Sequence, residues 1–475
     1  MRYPIAFGTD GWRALIGEGF TIENLERVTA ATIAWLRASQ EGALTVVVGY
    51  DTRFGGERFA THVARQLADA GVGVILSNGI CPTPAVSWVA KARKASVGIM
   101  ITASHNPPDY NGFKLKGSFG GSATPAMIAE VESWLGRVDA LPEPPSPLST
   151  LVESGQIVLA DIRNEHMEGM ASTLNLEAIR LAGFKVAHDA MFGAAQGVVA
   201  SLLATGQTIN VRHGINPGFE GTPPEPIEKN MGPLVDRLAS DTVGLAIAND
   251  GDADRIAMYD ERGGYVSSHM ILCLLLRYLV EFRHKKGLVV KTYSATEMLA
   301  KMASHYGLEC VTTPIGFKHV TDYFLQDDVL VGGEESGGIA VAGHIPERDG
   351  IYIGLLIAEM VAVTAKPLSQ LVEDLFTDFG PHFHHRIDFH TTEVVKNEIL
   401  NGLSRRSMLT SIGDRPVSHV WDLDGYKHFV STGWLLVRAS GTEPVLRVYS
   451  EGDTPAEAKA LVQDAATAMG LLGGH

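Results

Sequence analysis

The stretch Val97–Lys114, VGIMITASHNPPDYNGFK, is the feature around which the rest of the chain is organised. Its first five residues are almost all apolar, which predicts a short strand buried on both faces. The pair Pro107-Pro108 prevents the strand from continuing, so a polar loop follows it. Ser104 lies in this loop, where a scaffold can hold a hydroxyl for chemistry. The alternative is an ordinary loop serine that hydrogen-bonds its own backbone.

The composition is that of a soluble globular protein, and its charge limits the kinds of partner. With 475 residues the chain is long enough for three or four domains. The net charge of −15 argues against a general nucleic-acid-binding surface or an anionic-membrane surface, because both need an excess of Lys and Arg. An anionic ligand must therefore be met by a local cluster of cations.

The cysteines and the N-terminus indicate a cytoplasmic protein. Cys81, Cys273 and Cys310 are far apart and lack metal-binding spacing, which is typical of a reducing compartment. The first residues lead straight into Phe7–Arg13, FGTDGWR, and leave no room for a signal peptide. The apolar run Ile271–Val280 contains an arginine and is far shorter than the roughly 20 residues of a membrane span. We therefore expect no contact with a membrane.

A strand, turn, helix, glycine and strand follow one another three times, in Thr45–Leu76, Phe184–Val211 and Gly287–Val311. Strands that are apolar on nearly every residue and alternate with helices predict sheets covered on both faces. One doubly wound sheet would give the same pattern, but the wide separation of the repeats favours three related domains. From about Pro367 onward the pattern changes to that of an α+β domain.

A second polar loop offers three carboxylates to one cation. Val243–Ala248 predicts a strand, and it runs into NDGDADR, with Asp250, Asp252 and Asp254 at every second position. Carboxylates with this spacing project to the same side of an extended chain and suit a hard cation. An EF-hand is the alternative, with Glu261 as its last ligand. It is disfavoured because an arginine occupies the glycine position and the preceding residues predict a strand.

Two further loops carry groups suited to sugar and phosphate. Gly332–Gly338, GGEESGG, can aim adjacent carboxylates at neighbouring hydroxyls. Arg438–Pro444, RASGTEP, offers a guanidinium, the hydroxyls of Ser440 and Thr442, and backbone amides, all of which bind a dianionic phosphate. An ordinary capped turn is the alternative for the second loop. It is not a Walker loop, because Gly-Lys-Ser/Thr is absent.

The serine loop, read as Thr102–Pro107 followed by Tyr110–Lys114, resembles the phosphoserine loop of the α-D-phosphohexomutases. That family includes phosphoglucomutase, phosphomannomutase and phosphoglucosamine mutase. Similar landmarks recur from Phe7 to Arg447, nearly the whole chain. The resemblance implies an α/β fold with three topologically related α/β domains with mixed sheets and a C-terminal α+β domain around a central cleft. With the proline-rich linker Leu141–Pro147 as the first boundary, the predicted domains are the phosphoserine-loop domain 1–147, the metal-binding-loop domain 148–262, the sugar-recognition-loop domain 263–370 and the phosphate-binding domain 371–475.

The resemblance also implies the roles of individual residues. Ser104 carries the phosphoryl group and, with the three aspartates of the second loop, binds Mg²⁺. Arg13 faces the active site, and Lys318 in TPIGFK reaches the substrate. His105, Lys114 and Lys318 are the candidate proton carriers, and we favour His105 or a lysine whose pKa neighbouring cations lower. The predicted substrate-binding residues are Glu334, Glu335, Ser336, His344, Arg348, Arg438, Ser440, Gly441, Thr442 and Arg447.

The glutamate loop resembles that of the glucose-specific members. Phosphomannomutases tend to have methionine at the position of Glu335 and phosphoglucosamine mutases glutamine, and both often have histidine where this chain has Gly338. We therefore expect interconversion of glucose 1-phosphate and glucose 6-phosphate through glucose 1,6-bisphosphate, by a monomer or homodimer. The alternatives are a mannose or glucosamine phosphate mutase, a serine- and metal-dependent phosphatase, and an inactive sugar-phosphate-binding protein.

Overall fold

The computed structural model describes residues 3–8, 10–138, 144–439 and 444–471. The chain forms two compact units. The first comprises Met1–Leu288 and Gly316–Gln370, and the second comprises Val289–Ile315 and Leu371–His475.

The N-terminal region forms a mixed sheet with the strand order β1-β5-β4-β2-β3-β7, and β6 pairs with β5. Strands β4, β2, β3 and β7 are parallel, whereas β1, β5 and β6 run antiparallel to their neighbours. Its elements are β1 (Trp12–Leu15), α1 (Ile22–Ser39), β2 (Thr45–Tyr50), α2 (Gly56–Asp69), β3 (Gly73–Ser77), α3 (Thr83–Ala92), β4 (Val97–Ile101), β5 (Tyr110–Gly117), β6 (Gly121–Ser122), α4 (Pro125–Leu135), α5 (Leu148–Glu153) and β7 (Ile157–Ala160).

The strand predicted at the start of the serine loop is confirmed as β4, and all five of its residues are buried. It lies between β2 and β5, so both of its edges are paired, and the burial of all its residues shows that both faces are covered. Tyr50 of β2 pairs with Ile101 of β4 at the last position of their parallel register. The chain therefore leaves both strands at the same edge of the sheet, where sites of α/β proteins commonly form.

The second region contains a five-stranded sheet with the order β12-β11-β10-β8-β9. Strands β9, β8 and β10 are parallel, and β11 and β12 are antiparallel. The aspartate loop leaves β10 and returns as β11. The elements are α6 (Ile162–Ala171), α7 (Leu176–Ala182), β8 (Val186–Asp189), α8 (Val198–Leu202), β9 (Thr208–Val211), two 3₁₀ turns (Phe219–Gly221 and Glu228–Asn230), α9 (Gly232–Ser240), β10 (Leu245–Asn249), β11 (Ile256–Asp260) and β12 (Tyr265–Val266).

The third region contains a parallel strand pair, β13 with β14, and an antiparallel pair, β15 with β16. The glutamate loop connects β15 to β16. The elements are α10 (Ser268–Glu281), β13 (Leu288–Thr292), α11 (Glu297–His305), β14 (Cys310–Thr313), α12 (Phe317–Gln326), β15 (Val329–Gly333), β16 (Ile339–Val341), α13 (Gly350–Thr364) and α14 (Leu368–Phe379).

The C-terminal region is an α+β structure, as the sequence predicted. Its antiparallel sheet has the order β17-β23-β22-β21-β20, and a separate two-stranded sheet pairs β18 with β19. The elements are β17 (Phe383–His390), α15 (Glu393–Ser404), β18 (Ser411–Ile412), β19 (Arg415–Pro416), β20 (His419–Trp421), β21 (Tyr426–Val430), β22 (Gly433–Ala439), β23 (Val445–Gly452) and α16 (Pro455–Ala468).

The three predicted repeats are confirmed as β2-α2-β3, β8-α8-β9 and β13-α11-β14. In the second repeat the helix has only five residues. Of the predicted proline-rich linker, residues 141–143 lie outside the described residues, and residues 144–147 form neither helix nor strand. Within the described ranges, no single helix is long and apolar enough to span a membrane; the bent pair α13 and α14 passes that criterion only when both are taken together.

Candidate active site

Ser104 is held in an unusual conformation three residues beyond the end of β4. Its backbone φ is +53°, in the left-handed region that residues other than glycine seldom adopt. The Thr102 hydroxyl accepts a hydrogen bond from the Ser104 amide at 2.8 Å. The Ser104 Oγ donates to Asp250 Oδ2, also at 2.8 Å. The serine is thus fixed by its own loop and directed at the aspartate loop.

The backbones of these two loops are in direct contact. A Cβ added at Gly251 would lie 2.5 Å from the Ser104 carbonyl oxygen, so only glycine allows this approach. Asp250, Asp252 and Asp254 are fully buried, and one carboxylate oxygen from each lies within 4.8 Å of the others. The EF-hand alternative is wrong, because strands β10 and β11 flank the loop and Glu261 accepts hydrogen bonds from Ser369.

Asp252 and Asp254 each have one carboxylate oxygen that already bonds to neighbouring side chains. Asp252 Oδ2 accepts from Lys114 Nζ at 2.7 Å and from Thr83 Oγ1 at 2.5 Å. Asp254 Oδ2 accepts from Lys114 Nζ at 2.9 Å and pairs with Arg348 Nη2 at 2.7 Å. The Oδ1 atoms of both aspartates are buried and have no hydrogen-bond partner among the described residues.

This donor set fits a small hard cation. Burial, followed by repulsion from Asp254 and Asp252, raises the pKa of Asp250 well above its usual value. A buried carboxylate cluster with unpartnered oxygens is stabilised by a bound cation, and oxygen ligands of this kind suit Mg²⁺. The residues present therefore fit the metal that the sequence predicted.

The expectation of a lysine with a lowered pKa is wrong for Lys114. Its ammonium is fully buried and pairs with Asp10 at 2.8 Å as well as with Asp252 and Asp254. Burial alone would lower the Lys114 pKa, but the three carboxylates outweigh it and raise the pKa above its usual value. Lys114 is therefore a fixed positive charge of the site.

His105 has the properties of a proton acceptor. Burial and the nearby cations, with Arg255 and Arg13 foremost, lower its pKa well below the usual value. The imidazole is therefore neutral at neutral pH. Its Nδ1 lies 3.5 Å from the Ser104 Oγ. This contact is longer than the hydrogen bond from the same hydroxyl to Asp250, and catalytic hydrogen bonds are often long before substrate binds.

Arg13 and Lys318 both lie in the compact unit that contains Ser104. Arg13 Nη1 donates to Asn106 Oδ1 at 2.7 Å, two residues from the serine. Lys318 lines a cavity of about 200 Å³ together with Asp10 and Gly11. Arg13 thus contacts the serine loop, and Lys318 borders the residues around Asp10.

The glutamate loop makes a tight turn between β15 and β16. The Glu334 amide donates to the Gly338 carbonyl at 3.0 Å, and Glu335 and Ser336 at the tip are partly exposed. Burial raises the pKa of Glu334 to about 7. A Cβ added at Gly338 would overlap Arg348 Cδ, so a larger residue there does not fit this arrangement of Arg348.

Two predicted substrate ligands, His344 and Arg348, make buried contacts within the protein. His344 Nε2 bonds to Asp349 Oδ2 at 2.7 Å, its side chain is 2% exposed, and its ring stacks on Tyr352. These contacts orient the His344 ring, and its contact with substrate stays a prediction. Arg348 pairs with Asp10 and Asp254, so its charge is balanced by site carboxylates.

The predicted phosphate loop lies in the second compact unit. Arg438 Nε donates to Asp424 Oδ1 at 2.9 Å, and Arg447 Nε lies 3.5 Å from Asp388 Oδ2. Both guanidinium groups are partly exposed. Ser440, Gly441 and Thr442 lie outside the described residues.

Sequence reasoning missed three residues that organise the site. Asp10 bonds to Lys114, Lys116 and Arg348. Thr83 bonds to the aspartate loop, and Arg53 binds the serine loop. Asp10 lies inside the FGTDGWR motif and Arg53 follows a predicted strand, so both had a local signal, whereas Thr83 had none.

Comparison with known proteins identifies the family. The chain matches the phosphoglucomutase/phosphomannomutase alpha/beta/alpha domain I at residues 4–140, domain II at 164–264, domain III at 267–379 and the C-terminal domain at 405–468. The chain therefore belongs to the phosphoglucomutase/phosphomannomutase family. The predicted fold class, with three α/β domains and a C-terminal domain, is confirmed.

Individual relatives match along nearly their whole length. A phosphoglucomutase/phosphomannomutase from Thermococcus kodakarensis is 29% identical over 95% of this chain and 96% of its own. A phosphoglucosamine mutase from Limosilactobacillus reuteri is 29% identical over 94% of each chain. The solved structure of a Thermus thermophilus protein, provisionally named a phosphomannomutase, is 32% identical, with a TM-score of 0.85 over 98% of this chain and 99% of its own.

Proposed function

We propose that this phosphohexomutase moves a phosphoryl group between Ser104 and the 1- and 6-positions of a hexose phosphate. The observation that carries the proposal is the hydrogen bond from Ser104 Oγ to Asp250 inside a buried cluster of carboxylates and cations. Phosphoryl transfer needs reacting oxygens held in line and the charge of the transferred group neutralised. Asp250, Asp252 and Asp254 would hold Mg²⁺, which neutralises that charge when bound.

The protein's own residues then position the serine and move its proton. When Ser104 Oγ takes a phosphoryl group from the sugar, its proton passes to the neutral His105 Nδ1, and the sugar oxygen takes a proton from water as its bond to phosphorus breaks. In the opposite direction His105 returns the proton to Ser104. Lys114 keeps its charge throughout and holds Asp252 and Asp254 in place.

The two-step exchange requires a bisphosphate that turns over before the second transfer. We propose that Glu334, Glu335 and Ser336 bind the sugar hydroxyls and that Arg438 and Arg447, with Ser440, Gly441 and Thr442, bind the phosphate that is not reacting. Lys318 and Arg13 add positive charge near the reacting phosphate. Glucose 1,6-bisphosphate is the intermediate if the hexose is glucose.

The observations point to different hexoses as the substrate. The Glu334-Glu335-Ser336 string supports glucose. One relative is named a phosphoglucomutase/phosphomannomutase, and the others are named a phosphoglucosamine mutase and a phosphomannomutase, so the names together favour glucosamine or mannose phosphate over glucose alone. Measuring kcat/KM for the 1-phosphates of glucose, mannose and glucosamine decides between them. Glu335→Gln and Glu335→Met should each lower glucose turnover about tenfold if Glu335 accepts a glucose hydroxyl.

The experiment that tests the mutase itself uses Ser104→Ala. Intact-protein mass spectrometry of the wild type with hexose bisphosphate should show one added phosphoryl group, which Ser104→Ala cannot accept. Full mutase activity in Ser104→Ala would overturn the proposal. Continuous release of inorganic phosphate at the rate of substrate loss would identify a phosphatase instead.

A further inference from the structure

A single buried arginine, Arg53, holds the serine loop by hydrogen bonds to its carbonyl oxygens. Its Nη1 donates to the carbonyl oxygens of Pro107 at 2.7 Å and Tyr110 at 3.0 Å. Its Nη2 donates to the carbonyls of Ser104 at 2.7 Å and Asn106 at 2.5 Å. One guanidinium thus gathers four carbonyl oxygens from the loop between β4 and β5 and from the first residue of β5.

The position of Arg53 follows from the sheet. Since β2 and β4 leave the sheet at the same edge, Asp51 and Thr102 meet there, and Thr102 Oγ1 donates to Asp51 Oδ2 at 2.6 Å. The same Thr102 oxygen accepts from the Ser104 amide. Asp51 Oδ1 accepts from the Arg53 amide at 3.0 Å. The segment after β2 therefore holds the Ser104 carbonyl directly through Arg53, and it holds the Ser104 amide indirectly, because Asp51 fixes the Thr102 hydroxyl.

A guanidinium is required for this arrangement. It presents five donors in a rigid plane, whereas a lysine ammonium has three donors on a flexible stem and cannot reach four fixed carbonyls. The plane of Arg53 also lies over the Phe219 ring, with 5.1 Å from Cζ to the ring centroid, and Asp51 Oδ2 lies 3.4 Å from Arg53 Nε. The side chain is fully buried, so its charge acts on the loop and not on solvent.

The conformation that Arg53 maintains is strained. A non-glycine residue at φ +53° persists only where its surroundings enforce it. The Ser104 carbonyl is the point of closest approach to Gly251 of the aspartate loop. The Ser104 carbonyl oxygen accepts from Arg53 Nη2. It therefore sets the distance between the Ser104 hydroxyl and the carboxylate cluster.

We propose that Arg53 is a positioning residue for phosphoryl transfer, which fixes the Ser104 loop so that the Ser104 Oγ points at the aspartate cluster. This inference rests on the proposed function. Arg53 contacts neither the reacting atoms nor the carboxylates of the candidate metal site. Its loss should therefore reduce the rate of chemistry and leave sugar and metal affinity nearly unchanged.

The test compares Arg53→Lys with Arg58→Lys, a matched control on the exposed face of α2. For each protein we would measure the rate at which hexose bisphosphate phosphorylates Ser104, kcat and KM, the Mn²⁺ dissociation constant and the melting temperature. We expect Arg53→Lys to lower the phosphorylation rate and kcat about ten- to a hundredfold, with KM and Mn²⁺ affinity within about threefold of the wild type. Arg58→Lys should match the wild type throughout.

A second variant separates positioning from folding. Arg53→Ala leaves a guanidinium-sized space, so millimolar guanidinium should restore part of its phosphorylation rate, and equimolar ammonium should not. A kcat unchanged in Arg53→Lys, or an Arg53→Ala rate that guanidinium does not raise, would overturn the inference. A wild type without mutase activity would instead reject the proposed function, on which the role of Arg53 rests.

Discussion

At the scale of single residues, the buried carboxyl of Glu334 gives the site a titration near neutral pH. Burial raises its pKa from 4.5 to about 7. Below that pH the group is neutral and can donate a hydrogen bond, and above it the carboxylate can accept the hydrogen bonds that we propose from sugar hydroxyls. We expect kcat/KM to rise as the pH increases from about 6 to about 8, and Glu334→Gln should remove this rise.

The same shift makes a prediction for stability, because the pKa of folded Glu334 is above its unfolded value. Its contribution is fully present below pH 4.5 and is lost as the pH rises through about 7. The melting temperature of Glu334→Gln relative to the wild type should therefore increase between about pH 5 and pH 8. A constant difference over this range would show that Glu334 titrates normally.

The contacts of Thr83 predict that this residue affects metal affinity. Its hydroxyl donates to Asp252 Oδ2 and its amide to the Asp252 carbonyl at 2.9 Å, which fixes the direction of the free Oδ1. Groups that orient metal ligands in this way typically contribute roughly 10- to 100-fold in affinity. Isothermal titration with Mn²⁺ should show about tenfold weaker binding for Thr83→Val. Thr83→Ser, which keeps the hydroxyl, should bind as the wild type does.

Single residues of the site were predictable only where a local pattern marked them. Asp250, Asp252 and Asp254 are marked by their alternation, and Ser104 by its strand end. The pairing of Lys114 with Asp10 and Asp254 could not be read from the sequence, because the three residues are brought together by different strands and loops. That pairing reversed the predicted direction of the Lys114 pKa.

At the scale of elements, the contact between the serine and aspartate loops depends on Gly251. An added methyl group would lie 2.5 Å from the Ser104 carbonyl oxygen, which is backbone and cannot turn away. Gly251→Ala should therefore separate the loops, lower kcat at least about tenfold and cost about 1–3 kcal/mol of stability.

Gly232→Ala is the matched control for that substitution. Its added Cβ meets no atom within 4 Å, and neither glycine has a positive φ. Gly232 lies at the start of α9, where alanine is a better helix former than glycine. Kinetics and thermal unfolding of both variants would check the prediction. Equal activity in the two would show that the loops are not held by this contact.

Elements with a strong apolar pattern were predictable to within a few residues. The strands at Val97–Ile101 and Leu245–Asn249 are buried throughout, and burial on both faces is the reason for the apolar runs that located them. The five-residue helix α8 was predicted only as a member of a repeat, since so short a helix has too few turns to show a period. The role of α3 was hidden because Thr83 acts on a loop 169 residues away.

At the scale of the whole molecule, the order of four domains follows from the repeat and from the change of pattern near Pro367. The matches to four family domains confirm that organisation. The domain boundaries themselves remain predictions. The hexose could not be predicted with the same strength, because it depends on a few side chains in one loop and not on the pattern of the chain.

At the same scale, the proposed mechanism requires the complete molecule to retain a bisphosphate while it turns. Arg438 is partly exposed and tied to Asp424, which also accepts the Ile315 amide at 2.8 Å. Removing the Arg438 side chain leaves that backbone bond in place, so Arg438→Ala should fold normally. We expect its KM to rise about tenfold or more, since a charge-assisted phosphate contact is lost.

Arg438→Ala should also release bisphosphate before the second transfer. Added hexose bisphosphate should then restore part of the turnover, and free bisphosphate should accumulate in a single-turnover reaction followed by chromatography. Arg405→Ala, an exposed arginine at the end of α15, serves as the control and should behave as the wild type. If Arg438→Ala retains its bisphosphate and its KM is unchanged, the C-terminal domain does not bind the phosphate that is not reacting, and that part of the proposed mechanism must be abandoned.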